Sequence, residues 1–170
     1  GFAGVSDCRP LRESKGHLYE GGIRVPMIVR WPGKVKPGTL CDTPVISMDF
    51  FPTFLELANL KPGKQPIDGE SLLPLLSQSG ALKRKAIYFH YPNYAWHMGN
   101  RLGSVIREGD WKLIRNYDDN SLELYNLPRD LSEKKNVAKQ NPQLVSRLNK
   151  NLTTWLKATG APMPRPPKGN

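Results

Sequence analysis

Four short β-branched segments followed by one long amphipathic segment occupy residues 86–160, and this order leaves few ways to fold. Ala86–Tyr91, Ser104–Arg107, Trp111–Arg115 and Leu122–Tyr125 have the length and composition of strands. Glu108-Gly109-Asp110 and Asp118-Asp119-Asn120 separate the last three and supply the residue types of tight hairpin turns. Asn141-Pro142 then opens a helix, with Asn141 as side-chain cap and Pro142 at the first position, where its missing N–H costs nothing. Leu144, Val145, Leu148, Leu152, Trp155 and Leu156 recur at helical spacing, a stripe sufficient to cover one face of a sheet. Gly160 ends the helix, and residues 161–167 read as an extended tail. A small antiparallel sheet packed by a C-terminal helix is the prediction for this half.

The first half is built differently. Residues 1–22 are rich in Gly, Ser and charge, without a hydrophobic period, and read as a loop. Ile23–Trp31 reads as a strand, with Pro26 at its start or on an edge and Pro32-Gly33 turning the chain afterwards. A helix is predicted from about Met48 to Leu60, with Asp49 as N-cap, Pro52 in the first turn and Pro62-Gly63 as the stop. Phe51, Phe54, Leu55 and Ala58 form its apolar stripe, and Ser71–Leu76 reads as a short, buried helical turn. One strand and one helix cannot close a layer. Residues 1–85 are therefore expected to be the end of a larger α/β domain, and residues 86–170 a C-terminal subdomain. Without the missing sheet, Phe51, Phe54 and Leu55 would be exposed and would drive self-association.

Composition narrows the function classes. The chain has 170 residues, of which 38% are hydrophobic, too apolar for a disordered tail. No apolar run approaches the roughly 18 residues of a membrane span. The first residues have neither a basic nor an apolar leader region, and the absence of an initiator Met suggests a processed product or a chain cut from a longer one. A net charge of +10 favours an anionic partner. The cations are scattered, however, with Lys83-Arg84-Lys85 and Lys134-Lys135 as the short clusters, so neither a nucleic-acid nor a membrane surface is expected. Cys8 and Cys41 form no Cys-x-x-Cys pair, which argues against structural zinc.

Pro10 to Pro26 reads Pro-Leu-Arg-Glu-Ser-Lys-Gly-His-Leu-Tyr-Glu-Gly-Gly-Ile-Arg-Val-Pro. This segment closely resembles the sulfatase family, whose pattern here is Lys-Gly-x-x-x-Glu-Gly-Gly-x-Arg-Val-Pro. The resemblance continues through Arg30-Trp31-Pro32-Gly33, Asp49-Phe50-Phe51-Pro52-Thr53, Ile106–Ile114 and Glu123-Leu124-Tyr125-Asn126-Leu127, and points to bacterial arylsulfatase-like members. It implies an alkaline-phosphatase-like α/β fold, of which this chain would be the C-terminal third or so. It also implies a sulfuric ester hydrolase acting on a sulfate ester or sulfated polysaccharide, exported to the periplasm or secreted.

The residue roles implied are specific. The family's Lys-Gly lysine contacts sulfate oxygens, which makes Lys15 the first catalytic and substrate-binding candidate. A fixed ammonium in a water-poor site stabilises charge on the sulfuryl group and the leaving oxygen as the S–O bond breaks. Gly21-Gly22 permit a tight turn, and Glu20 and Arg24 are expected as a buried carboxylate and guanidinium that hold the loop. His90, in a His-Tyr-Pro stretch that approaches the substrate mouth in bacterial relatives, is the second catalytic and substrate-binding candidate. His17, Tyr94 and His97 are further substrate-binding candidates, with Tyr91 and Trp96 as possible ring platforms. Cys8-Arg9-Pro10-Leu11-Arg12 matches the Cys-x-Pro-x-Arg core of formylglycine maturation, but Leu11 stands where the family has Ser, and Pro10-Leu11-Arg12 is instead the lead-in to Lys15.

In the family a hydrated formylglycine attacks sulfur and a calcium ion polarises the sulfate. Neither the nucleophile nor a calcium-ligand cluster is expected in this chain. Calcium would belong to the intact enzyme, whose N-terminal catalytic portion is the implied partner, and the 170 residues alone would be inactive. Two other readings are a phosphodiesterase or phosphonate hydrolase of the same superfamily, and a non-catalytic module binding acidic polysaccharide through its charge.

Overall fold

The computed structural model describes residues 7–94 and 100–165. The chain forms two compact units, one made of the segments up to Val25 and from Ala86 onward, the other of Pro26–Lys85. One unit boundary falls between residues 85 and 86, and residues 7–25 belong to the same unit as those from Ala86 onward.

The first unit is built on an antiparallel sheet in the order β1-β2-β3-β4, comprising β1 (Ala86–Tyr91), β2 (Gly103–Glu108), β3 (Trp111–Asn116) and β4 (Leu122–Asn126). The turns are those predicted: Gly109 and Asn120 both adopt positive φ, and the Asp119 carboxylate accepts the Ser121 N–H at 2.9 Å. Register sorts the side chains by period two. Ile106, Leu113 and Leu124 stand opposite one another on one face, and Val105 with Ile114 on the other.

Helix α4 (Pro142–Ala158) covers the first of these faces. Leu148, Leu152 and Leu156 pack against Ile106, Leu113 and Leu124, and Trp155 stacks on Tyr88 with centroids 4.8 Å apart. Gly160 ends the helix with a φ of 60°. Asn141 does not cap it through its side chain as expected. Its amide donates backward to the Val137 carbonyl at 2.9 Å, closing the short turn that precedes the helix.

The opposite face is covered by the N-terminal loop and its short helix α1 (Glu20–Ile23). Leu18 and Tyr19 pack with Phe89 against Val105, Ile114, Tyr125 and Leu127. The sheet is thus buried on both sides, by a helix and by a loop of 7–25.

The second unit contains α2 (Phe50–Leu57), preceded by a single 3-10 turn over Ser47–Asp49, and α3 (Leu73–Leu76). Asp49 is fully buried, but it does not cap α2. Its carboxylate accepts the N–H groups of Ile46 (2.9 Å) and Glu70 (3.0 Å) and both guanidinium nitrogens of Arg84. Burial pushes its pKa up, yet Arg84 and the two N–H donors outweigh this and hold it below the usual carboxylate value. Thr53 Oγ1 bonds the Asp49 carbonyl and accepts the Leu72 N–H, tying α2 to the start of α3.

The segment predicted as a strand over Ile23–Trp31 forms no ladder among the described residues. A strand is a property of pairs, and among the described residues no strand pairs with it. Ile28 is left 92% exposed, and on α2 Phe51 and Phe54 are 58% and 62% exposed. No helix of the described residues is long and apolar enough to cross a membrane.

These differences in burial predict unequal costs. Leu148→Ala should lose about 2–5 kcal/mol by opening a cavity between α4 and the sheet, whereas exposed Phe54→Ser should change stability by less than about 0.5 kcal/mol. Urea denaturation of the two variants measures both. Sedimentation should also show less association in Phe54→Ser.

Candidate functional site

The candidate site is the loop of residues 10–23. Its tip is a β-turn closed by the His17 N–H donating to the Ser14 carbonyl at 3.2 Å, with Lys15 and Gly16 in the central positions. Gly16 has a φ of 99°, the left-handed value that the third residue of a type II turn requires and that a side chain resists. The Lys-Gly order thereby acquires a local reason. Lys15 is exposed at this tip. The buried Asn100 side chain donates to the Gly16 carbonyl at 3.3 Å and fastens the tip to the connection between β1 and β2.

Below the tip, the loop is held by a buried charge cluster. Glu20, Lys112 and Glu133 are all essentially inaccessible to solvent. Lys112 Nζ lies 3.0 Å from Glu20 Oε1 and 2.8 Å from Glu133 Oε1. The second Glu133 oxygen accepts the Glu20 N–H at 2.6 Å. Arg24 and Arg107 approach the other Glu20 oxygen at 3.6 and 3.7 Å. Glu20 is buried, as the sequence suggested; Arg24 remains half-exposed, because it closes the open side of the cluster and not its centre.

A second cluster lies alongside. Arg12 donates to the Glu133 carbonyl at 2.8 Å and to Tyr125 Oη at 3.1 Å, and its guanidinium stacks 3.7 Å from the centroid of Tyr19. The Tyr19 and Tyr125 hydroxyls both donate to Glu123. Burial, followed by the Glu123 charge and hydrogen bond, pushes Tyr19 up to about 12, and burial with the Glu123 hydrogen bond raises Tyr125 further still. Both phenols therefore stay neutral donors across the physiological range.

Gly21 and Gly22 are needed for close approach. A Cβ on Gly21 would meet the Glu13 carbonyl oxygen at 2.1 Å, and one on Gly22 the His17 carbonyl oxygen at 2.0 Å. The expected turn is thus a helical turn pressed against the incoming arm of the loop, with the Gly21 N–H bonding the Arg12 carbonyl at 2.9 Å.

The other candidates separate. His17 shares the Lys15 turn, with Nδ1 3.1 Å from the Ser14 carbonyl oxygen and Nε2 3.7 Å from Glu13. His90 alternates with Tyr88 and so faces the α4 side of the sheet, opposite the face that carries the loop. Its two ring nitrogens lie 2.7 Å from Ser104 Oγ and 2.7 Å from the Pro162 carbonyl oxygen, which ties the C-terminal tail to β1. The structure therefore does not bring His90 to Lys15. Tyr94 is exposed and bonds Asp118, while His97 and Trp96 lie outside the described residues. Cys8 and Cys41 are free thiols. Among the described residues, no group of three or more His, Cys, Asp or Glu side chains could hold a metal ion.

Arg12, Asn100, Lys112, Glu123 and Glu133 were not singled out by sequence reasoning. Lys112 was the most accessible of these: it interrupts the apolar run of β3 at a position whose side chain points inward. Glu133 is disguised by the exposed Lys134-Lys135 beside it.

Glu133 also gives a pH test. Burial raises its pKa above 4.5, against the lowering effect of Lys112 and the Glu20 N–H and with the like charge of Glu20 adding to the rise. A carboxyl raised in the folded state binds its proton there before the unfolded chain does, so folding gains stability as pH falls through the raised value toward 4.5. The stability of the chain relative to Glu133→Gln, which cannot titrate, should therefore rise from pH 8 to pH 5 in urea denaturation. Parallel pH profiles would contradict this assignment.

Comparison with known proteins places the chain in a family. The family model described as N-sulphoglucosamine sulphohydrolase, C-terminal, matches residues 14–159. A sulfatase of Formosa agariphila is 36% identical over 95% of this chain and 32% of its own length. Among solved structures, Ps i-CgsB in complex with k-i-k-neocarrahexaose superposes with a TM-score of 0.74 at 31% identity, covering 86% of this chain and 32% of that one. BT4656 in complex with its substrate D-glucosamine-2-N,6-O-disulfate has a TM-score of 0.56 at 32% identity, over 64% and 23%. The chain thus spans about a third or less of the length of these relatives. With the fold, the loop pattern and the match over residues 14–159 in agreement, the chain belongs to the sulfatase family and forms a C-terminal part of its alkaline-phosphatase-like fold.

Proposed function

We propose that this chain is the C-terminal part of an enzyme that hydrolyses sulfate esters of saccharides, and that Lys15 is its contribution to the sulfate site. The observation that carries this reading is the exposed Lys15 at the tip of a type II turn whose two stems are anchored on a buried charge cluster. A turn held in this way presents the Lys15 ammonium from a fixed backbone position, where it would stabilise the charge that develops on the sulfuryl oxygens and the leaving oxygen. His17, on the same turn, is the nearest candidate for a contact with the ester's saccharide. Saccharide as the substrate class is supported by the sulfated glucosamine and neocarrahexaose named for the two solved relatives.

The nucleophile would come from the part of the protein outside this chain. Calcium, general to the family, would be held there too. The same part would cover Ile28 and the exposed phenylalanines of α2.

In the full-length protein, Lys15→Ala should lower kcat/KM for 4-nitrophenyl sulfate by about 100-fold or more, the scale of losing one preorganised oxyanion donor. An unchanged value would remove Lys15 from the site. The 170 residues alone should show no turnover. Hydrolysis by the purified chain that disappears in Lys15→Ala would overturn the division of labour. A preference of the full-length protein for phosphate or phosphonate esters over sulfate would favour the related phosphodiesterase reading.

A further inference from the structure

We infer that Glu133 is a positioning residue for Lys15, gripping both stems of the loop at once; this rests on the reading of Lys15 as a sulfate contact. Glu133 is separated from the loop by more than a hundred residues. Its carbonyl oxygen accepts from Arg12, three residues before Lys15, at 2.8 Å. Its carboxylate accepts the backbone N–H of Glu20, five residues after Lys15, at 2.6 Å. The neighbouring Ser132 hydroxyl adds a third hold on the incoming stem, donating to the Pro10 carbonyl at 2.6 Å.

Both ends of the segment that carries the turn are therefore referenced to one residue, and Lys112 references that residue to β3. Ser132 and Glu133 take backbone atoms of the loop at Pro10 and Glu20, and Glu133 takes the guanidinium at Arg12, so the hold sets the path of the chain. Glu133 itself is fully buried and has a φ of 50°, a conformation a glutamate adopts only where its surroundings fix it. Its N–H closes a turn onto the Asp130 carbonyl at 3.0 Å, while the Asp130 carboxylate accepts the N–H groups of Lys134 and Lys135. The strained turn is thus stabilised from both sides. It delivers a carbonyl and a carboxylate of the same residue to two separate points of the loop.

The test uses the 170-residue chain. Amide hydrogen exchange should rise about ten-fold or more at Glu20, Gly21 and Gly22 in Glu133→Ala, and less in Glu133→Asp, whose carboxylate falls one methylene short. The amides of Val105 and Leu113 in the sheet should exchange as before. Glu133→Gln keeps the reach and an acceptor oxygen and should restore loop exchange to within about three-fold of the parent chain. The NMR shifts of the Lys15 and Gly16 amides on titration with inorganic sulfate, against chloride at matched ionic strength, provide the functional readout. The parent chain and Glu133→Gln should respond specifically to sulfate, and Glu133→Asp should respond less.

Unchanged loop exchange in Glu133→Asp, or a sulfate response that does not weaken with the loosened loop, overturns the positioning role. Exchange that rises equally in loop and sheet also overturns it, because Glu133 would then be a global stabiliser. An unchanged kcat/KM of the full-length protein in Lys15→Ala fails the reading of Lys15 itself, and the exchange measurements still decide whether Glu133 holds the loop. Should Glu133→Ala not fold, the aspartate variant carries the comparison.

Discussion

A single ammonium, Lys112 Nζ, stands between two buried carboxylates, and the position of the whole N-terminal loop follows from that arrangement. Glu20 belongs to the loop, Lys112 to β3 and Glu133 to the turn after β4. None of the three could be buried alone, since an unpaired charge in this position would cost several kcal/mol. Once together, they fix the loop to one strand and one turn simultaneously. The hydrogen bonds from Glu20 N–H to Glu133 and from Arg12 to the Glu133 carbonyl then leave the segment between them little freedom.

The sheet explains why such a cluster is affordable in so short a chain. Its α4 face is packed by leucines at helical spacing and supplies the apolar burial that holds the strands in register. The opposite face is left to a loop, whose backbone groups must find partners in the absence of a helix or strand. Leu18 and Tyr19 provide modest apolar contact there, and the Arg12–Tyr19–Tyr125–Glu123 cluster provides directional bonds. One face gives stability, and the other holds a charged side chain in a defined place. His90 illustrates the division: by period two it falls on the α4 face and secures the C-terminal tail there.

Much of this was legible in the sequence. The four strands, their turns and the stripe of α4 follow from period and punctuation, because the interactions that make them are near in the chain. The Lys-Gly turn was not read from the sequence, although Gly16, whose positive φ is a local demand, was the signal for it. The strand expected over Ile23–Trp31 was not realised, since pairing requires a neighbour that these residues do not contain. Asp49 and Asn141 were expected as caps because residue type suggests capping, but other partners won: the distant Arg84 and Glu70 for Asp49, and the local Val137 carbonyl for Asn141. Glu133 was illegible for another reason. Its partners are more than a hundred residues distant, and in sequence it is one charge among several.

The most direct measurement of the account's central claim is side-chain nitrogen NMR of the chain labelled at its lysines. If Lys112 is a buried ammonium shared by Glu20 and Glu133, its NH3 protons will exchange slowly enough to give a resolved correlation at neutral pH and 25 °C. That correlation will show contacts to protons of both glutamates and vanish in Lys112→Met. If every lysine NH3 signal is instead averaged with water under conditions where the sheet amides are protected, no such ammonium exists. The loop that carries Lys15 would then be held by something other than this charge cluster.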